Sequence, residues 1–356
     1  MDWKGLEGLL AREFHPSQFL EHAQQWIKHP IANIARADPL ISLIWIVLVI
    51  CATVYLLNFA TGDYSWTDRV WSLCPIFYAW FFALSVPAPH NISGNPIAKI
   101  KYLATNHPRP LLMAVLVTVW GIRLTFNFAR KGGYGLNGED YRWKHVHGWK
   151  AFNIPVLGPF LWQLFSLGFI ATYQHILIFM FTCPIYVAYR DAANNMKAVQ
   201  SLTIYDWALS AAFLVFLAIE TIADEQQWRY YIRREKYRAL PKAEQNSAKW
   251  ADSDEARGFN TSGLFAYSRH PNFFGEQCIW ITFYLFAVAV TKDPLHWTGL
   301  GVFQLIFCIF LGSTDLTESL SVAKYPAYRI YQKYVSRTIP MPFKRKIIWN
   351  DTKKKQ

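Results

Sequence analysis

The stretch YSRHPNFFGE, residues 267–276, sets Tyr267, Arg269, His270, Asn272 and Glu276 at the mouth of a run that is otherwise apolar. A guanidinium, an imidazole, an amide and a carboxylate so close together suit a polar ligand. Cations beside an exposed helix N-terminus take an anion, phosphate above all. Pro271 fits the first turn of a helix, where its missing N–H costs nothing. Arg269, Asn272 and Glu276 then fall at i, i+3 and i+7, roughly along one face. A membrane-interface anchor would account for Arg269 and Tyr267. It would not account for Asn272 and Glu276, which lie inside the run. An ionisable group at mid-helix costs ~2.5–3.5 kcal/mol on insertion scales and marks a functional position, the cost falling toward the helix end.

Two further segments carry similar chemistry. AIETIADEQQWRYYIRREKYR, residues 218–238, places Glu220, Asp224 and Gln227 at i, i+4 and i+7, followed by Arg229, Arg233 and Arg234. Carboxylates of that kind accept from ribose hydroxyls or an amide, and arginines clamp phosphates. A solvated, salt-bridged helix end is the simpler reading for Arg234 and Lys236. KYPAYRIYQKYVSRTIP, residues 324–340, alternates tyrosine with basic residues. Tyr325, Tyr328 and Tyr331 form either an interfacial belt or, with Arg337, the wall of a nucleotide pocket. The glycine-rich GGYGLNG at 132–138 follows an apolar helix and not a strand, so it is no dinucleotide fingerprint. His145 and His147 have no evident third ligand, and no metal is expected.

The elements that must position these residues are membrane helices. The chain is 53% hydrophobic and 17% aromatic, and the aromatics lie inside long apolar runs. The net charge of +12 therefore fits a positive-inside membrane protein, with no nucleic-acid partner. The five cysteines, Cys51, Cys74, Cys183, Cys278 and Cys308, lie in or beside apolar runs with no CxxC pair, so they read as small buried hydrophobes. Residues 1–38 are mixed and charged, unlike a signal peptide. PLISLIWIVLVICATVYLLNF, 39–59, spans ~30 Å, the thickness of a bilayer core. Weaker spans are predicted at 70–86, 110–128, 165–187, 203–223, 272–291 and 298–314. The expected fold is all-α, a polytopic transmembrane helical bundle of about seven spans, and the long run at 155–187 has room for a re-entrant piece.

Basic residues gather in 129–153, in 225–269 and after 323, while 188–202 and 292–297 carry few charges. That asymmetry predicts a cytosolic C-terminus and, for an odd number of spans, an N-terminus on the other side. The sequon Asn91-Ile92-Ser93 would then be lumenal. Lys353 and Lys354 stand where a dilysine endoplasmic reticulum retrieval signal would, and a basic tail near anionic lipid is the alternative. The organisation predicted is an N-terminal extension (1–38), a transmembrane domain (39–343) with its motif region at 203–343, and a basic cytosolic tail (344–356). Residues 240–262 read as a cytosolic loop.

In order, ETIAD, GLFAYSRHPNFFGE and KYPAYRIYQKYVSRTIP resemble the C-terminal region of the steroid 5α-reductase superfamily. The resemblance is to its branch long labelled a domain of unknown function. YSWTDRVWSLCPIFYAW (64–80) and WGIRLTFNFARKGGYGLNGEDYRW (120–143) are similar to that branch too, so the likeness covers roughly 60–343. It implies a membrane reductase of the endoplasmic reticulum that takes hydride from cytosolic NADPH and delivers it to an activated C=C of a lipid entering from the bilayer. By position, Asn272, Gly275, Glu276 and Asp224 would contact the dinucleotide. Glu220, Arg229, Arg233, Tyr267, Arg269, His270, Tyr331 and Arg337 would be the rest of its surroundings.

The RHPxxxG core is also similar to that of S-adenosylmethionine-dependent membrane methyltransferases of the isoprenylcysteine and phospholipid type. The acid after the glycine, Glu276, resembles the reductases. A non-catalytic scaffold or lipid-binding protein of the same fold is a further alternative. One departure is the lack of the adjacent Gln-Glu pair that holds a 3-keto group in the steroid enzymes, which puts steroid enones in doubt. The polar residues left in the front half are Asp63, Asp68, Arg123, Tyr173, Gln174 and His175. Of these, Tyr173, as proton donor to a developing enolate, and Asp68 are the catalytic candidates. For Gln174 and His175 a helix–helix hydrogen bond is equally good. The oligomeric state is left open.

Overall fold

A computed structural model describes residues 2–135 and 138–349. It is helical throughout: among the described residues the only β-type pairing is a single parallel bridge between Ser268 and Ser336. Three short helices, α1 (Trp3–Glu13), α2 (Phe19–Lys28) and α3 (Pro30–Arg36), lead into α4 (Pro39–Thr61). There follow α5 (Leu73–Ser85), α6 (Pro108–Arg130), α7 (Leu157–Thr182), α8 (Pro184–Asn194), α9 (Ile204–Arg238), α10 (Pro271–Thr291), α11 (Trp297–Lys324) and α12 (Tyr328–Tyr334). Six of them, α4, α6, α7, α9, α10 and α11, are long and apolar enough to cross a membrane. The protein is a polytopic helical bundle.

Local signals set the first span. Asp38 caps α4 by accepting from the Leu40 N–H, Pro39 occupies the first turn, and Gly62 ends the helix at φ +66°, a left-handed conformation that glycine adopts without steric cost. The span expected at 70–86 is shorter than predicted. It forms α5, 13 residues long, or ~20 Å at ~1.5 Å per residue. The run from 155 ends as a span at Thr182, and Pro184 opens the separate α8. Inside α7, residues Ser166–Tyr173 are π-helical. The span predicted at 203–223 continues as one helix to Arg238. The region read as a loop at 240–262 contains two single-turn helices, Lys242–Gln245 and Asp254–Arg257.

The chain divides into two compact units, one of residues 1–210 and 283–303, the other of 211–282 and 304–356. In the first, one end is tied by charge. Asp38, at the start of α4, accepts from the Tyr186 hydroxyl of α8 (3.0 Å) and pairs with Arg190. Arg109, at the start of α6, donates to Asp191 (2.9 Å) and, with two nitrogens, to Asp206 (2.7 and 3.1 Å) at the start of α9. Trp297 lies against Tyr186, and the Trp3 indole donates to the Leu295 carbonyl. The opposite end holds Arg69 on Asp63 (2.5 Å), Tyr64 N–H on Glu139 (3.2 Å) and Asp140 N–H on Ser65 (2.9 Å). Because α4 and α6 both start at the first end, the chain must return between them, and α5 makes that return. The N-terminus shares its end with the 292–297 loop.

In the second unit α9 and α10 touch backbone to backbone at Gly275. A Cβ there would lie 2.8 Å from Glu220 Cβ and 3.0 Å from the Phe216 carbonyl. A small aromatic core of Phe259, Tyr328, Tyr331 and Val335 is joined by Ile347 and Trp349. The first residues of the basic tail are thus packed against this unit, and Arg257 lies 4.4 Å over the Trp349 ring. Lys353 and Lys354 fall outside the described residues.

Candidate functional site

The motif at 267–276 separates into two halves. Its first half is a lock. Arg269 Nε and Nη2 donate to the two oxygens of Glu318 in α11 (2.6 and 3.1 Å), and Nη1 donates to the carbonyls of Gln332 (3.2 Å) and Val335. His270 Nε2 lies 3.0 Å from Glu318 Oε1. A carboxylate accepts only, so the imidazole carries the proton on that nitrogen. Gln332 Nε2 adds a further donor to Glu318 at 2.8 Å. The backbone joins in: Arg269 and His270 N–H donate to the Ser336 and Arg337 carbonyls (2.9 and 3.0 Å), and Met341 N–H to the Tyr267 carbonyl. Sequence reasoning assigned Arg269 and His270 to the cofactor and missed Glu318. The structure gives the bidentate face of the guanidinium to that buried carboxylate, which sits 49 residues away in the chain with no local spacing to announce it.

The second half faces α9. Gly275 admits Glu220 of α9, and Glu276 is the next residue on α10. Asp224 stands one turn along α9 from Glu220. All three acids are less than a tenth exposed. Glu276 Oε1 accepts the Trp280 indole N–H at 2.8 Å. Asn272 is half-buried in the first turn of α10. The segment before the motif is held on the same helix: Leu264 N–H donates to Gln226 Oε1 at 2.8 Å, and Gly263, at φ +64°, sits so close that a Cβ would meet the Gln226 carboxamide. Of the expected residues, Gly275 and Glu220 are therefore brought into contact, with Asn272 and Glu276 on the same helix as the first and Asp224 on the same helix as the second.

The remaining expected residues are spread around this centre. Tyr331 is buried, and its hydroxyl donates to the Phe265 carbonyl at 2.5 Å; burial pushes the phenol well above its usual range. Arg337 pairs with Asp315 (2.5 Å). Arg229 and Arg233 lie along the exposed side of α9, paired with Glu225 and Glu255 (both 2.7 Å). Tyr267 is exposed. Asp254, which sequence reasoning did not single out, organises the loop before the motif. Burial alone would raise its carboxyl, but donors from Thr261 (2.6 and 2.9 Å), Arg257 and Ser262 outweigh that and hold it below the usual carboxylate range.

The two catalytic candidates belong to the first unit. Asp68 accepts the Trp143 indole N–H at 2.9 Å and lies 3.8 Å from Arg142. Burial raises its carboxyl above the usual range despite the pull of that guanidinium. Tyr173 ends the π-helical turn and stacks on Phe169 with centroids 5.6 Å apart. Thr67, beside Asp68, donates to the Ile170 carbonyl of the same turn (2.9 Å). The glycine-rich loop serves an arginine: Arg69 donates to the carbonyls of Gly133 and Gly135 (3.2 and 3.3 Å). His147 stacks on Trp162 at 4.3 Å.

Comparison with known proteins places this architecture. A family model described as "Protein of unknown function (DUF1295)" matches residues 54–338. The chain belongs to the DUF1295 family. The DUF1295 match includes the whole of both halves of the 267–276 motif, Glu318 and the front-half cluster around Asp68. A relative from Schizosaccharomyces pombe, described as an uncharacterized protein, is 34% identical over 296 residues, covering 80% of this DUF1295 chain and 78% of its own length. No solved structure matches.

Proposed function

We propose that this DUF1295 protein is a membrane-embedded reductase of the steroid 5α-reductase type, using NADPH to reduce a C=C bond of a lipid. The observation that carries the reading is the contact at Gly275 between two membrane-length helices that bear the buried acids Glu220, Asp224 and Glu276. Buried carboxylates in a membrane helix are costly and mark a site for a ligand rich in donors. That donor-rich chemistry fits the ribose and carboxamide end of a dinucleotide, with Asn272 able both to donate and to accept. Arg229 and Arg233, on the exposed face of the same helix, are the cations suited to phosphate, whereas Arg269 is engaged by Glu318.

The cofactor, when bound, supplies a hydride. An isolated alkene would not accept it, because the resulting carbanion has nowhere to go, so the substrate carries a conjugated carbonyl or a route to a cation. On this reading the protein's own part is to donate a proton or a hydrogen bond to the developing charge. Asp68 and Tyr173 are the candidates that the sequence offers for that part. The basic 129–153 loop lies at the end opposite the N-terminus, which supports a cytosolic C-terminus by the positive-inside rule. Residence in the endoplasmic reticulum is the reading of the Lys353-Lys354 tail.

The test is ligand stabilisation of the purified protein in mild detergent. NADPH should raise the melting temperature and S-adenosylmethionine should not. The reverse outcome would make a methyltransferase of it, and a shift with neither would favour a lipid-binding scaffold.

A further inference from the structure

The N-terminal helices carry an apolar surface of their own. Leu20, Ile27 and Ile31 are 74%, 80% and 83% exposed, the most extreme values among the aliphatic side chains of residues 1–36. On α2 the apolar residues Trp26, Phe19, Ala23, Ile27 and Leu20 occupy one continuous arc, and Gln24, Lys28, Glu21, Gln25 and His22 fill the other, the pattern of an amphipathic surface helix. Part of the apolar arc is spent within the chain. Phe19 and Trp26 both stack on Trp45 of α4, with centroids 5.9 and 5.6 Å away. Glu13 clasps the arrangement, its Oε1 accepting the indole N–H of Trp26 (3.0 Å) and of Trp45 (3.1 Å). The Leu20–Ile27 side is left uncovered.

What covers it follows from the depth of Trp45. α4 has 23 residues and needs nearly all of them to span a hydrocarbon core of ~30 Å at ~1.5 Å per residue. Trp45 lies six residues after Pro39, so it sits ~9 Å inside the start of the span. A helix stacked on Trp45 stands beside a spanning helix at the level of the headgroup–acyl boundary, within the ~5–10 Å depth that interfacial helices reach. The charges argue against an electrostatic partner: residues 19–36 hold Glu21, Lys28 and Arg36, and the whole stretch 1–38 adds Lys4 and Arg12 against Asp2, Glu7, Glu13 and Asp38, so it has no basic excess.

We infer that α2 and α3 form an in-plane membrane anchor, with Leu20, Ile27 and Ile31 inserted among the acyl chains of the leaflet at the N-terminal end of the bundle. The bound partner is bilayer lipid, recognised by its apolar boundary and not by headgroup charge. This surface precedes the family match, which begins at residue 54, and it does not depend on the reductase reading.

The experiment uses the full chain in lipid vesicles, with a small environment-sensitive fluorescent amino acid introduced singly at Leu20, Ile27, Glu21 or Lys28. Lipids brominated near the carbonyl end of the acyl chain should quench the probe at Leu20 and Ile27 strongly and that at Glu21 and Lys28 weakly. Aqueous iodide should give the opposite order. Replacing neutral lipid with acidic lipid should leave the pattern unchanged. Equal iodide quenching at all four positions would mean that the face is in water and would overturn the anchor. Protection from both quenchers at Leu20 and Ile27 would mean that protein, such as a second copy, covers the face, and would overturn it equally. A pattern that appears only with acidic lipid would refute the apolar basis of recognition.

Discussion

Arg269–His270 and Asn272–Glu276 are neighbours in one motif, yet they do different work. The first pair meets Glu318 in a network of donors to one acceptor: two Arg269 nitrogens, the His270 ring and the Gln332 amide converge on one carboxylate. Its product is a fastening of the C-terminal segment to the start of α10. Of the second pair, Glu276 is buried on α10, which touches α9 at Gly275, and α9 carries the buried acids Glu220 and Asp224. Buried acids on two touching membrane-length helices are costly to keep there. A motif is thus a poor unit of function. The half that pairs with Glu318 fastens the chain, and the half rich in buried acids is the one proposed to hold the ligand.

The comparison is broken most forcefully at Glu318. Glu318→Ala should remove the acceptor of a buried guanidinium and cost ~3–5 kcal/mol of stability, seen as a large fall in melting temperature or loss of folded protein in detergent. Arg269→Ala should cost a similar amount, and the double variant should lose less than the sum. A melting temperature unchanged in Glu318→Ala would mean that the lock is not structural.

Gly275→Ala comes next. Its added methyl has no room against Glu220 Cβ and the Phe216 carbonyl, so α9 and α10 must move apart, at ~1–3 kcal/mol. Nucleotide stabilisation should fall with it, because the two sides of the site separate. Glu276→Gln separates the halves cleanly. The amide oxygen still accepts from Trp280, so the melting temperature should hold, while an ion-assisted hydrogen bond worth ~1.5–3 kcal/mol is lost from NADPH binding, about tenfold to a hundredfold in Kd. A drop in melting temperature with unchanged Kd would move Glu276 into the structural half.

A smaller effect is expected at Asp254, which supports the loop before the motif. Its folded carboxyl titrates below the unfolded one, so its stabilisation is present above the unfolded pKa near 3.9 and is lost as pH falls through the lower folded value. Asp254→Asn should be ~1 kcal/mol less stable at neutral pH, and the gap to the wild type should close on acidification below that point. An unfolding series across pH reads it directly. The smallest effect belongs to Arg233→Ala. An exposed pair with Glu255 contributes ~0–1 kcal/mol, so stability should barely change, and a marked loss of NADPH affinity would place this arginine on a phosphate.

Much of the architecture was legible in the sequence because a bilayer imposes a single rule. A spanning segment must be apolar for about twenty residues and satisfy its backbone internally, so the run at 39–59 announced α4, and the six long apolar helices all lie on runs expected to span. Pro271 marked the start of α10, and the Glu220–Asp224 spacing marked one face of α9. Where the rule is weak the reading overshot: the run at 70–86 forms α5, only 13 residues long and below the length of a span. The basic tail reads as polar, yet Ile347 and Trp349 pack on a small core that joins Phe259 to Tyr328, Tyr331 and Val335.

What the sequence determined by itself is therefore the set of chemically unusual positions: Arg269, His270, Asn272, Glu276, Glu220 and Asp224 stand out because their side chains are expensive in an apolar run. Tertiary structure alone decided their roles. Charge pairing depends on which element arrives within ~4 Å, and Glu318 and Gln332 arrive from 48 to 63 residues downstream of the histidine and arginine they meet, a distance over which sequence spacing carries no geometric information. The same holds at Gly275, whose missing side chain acquires meaning only once Glu220 lies against it.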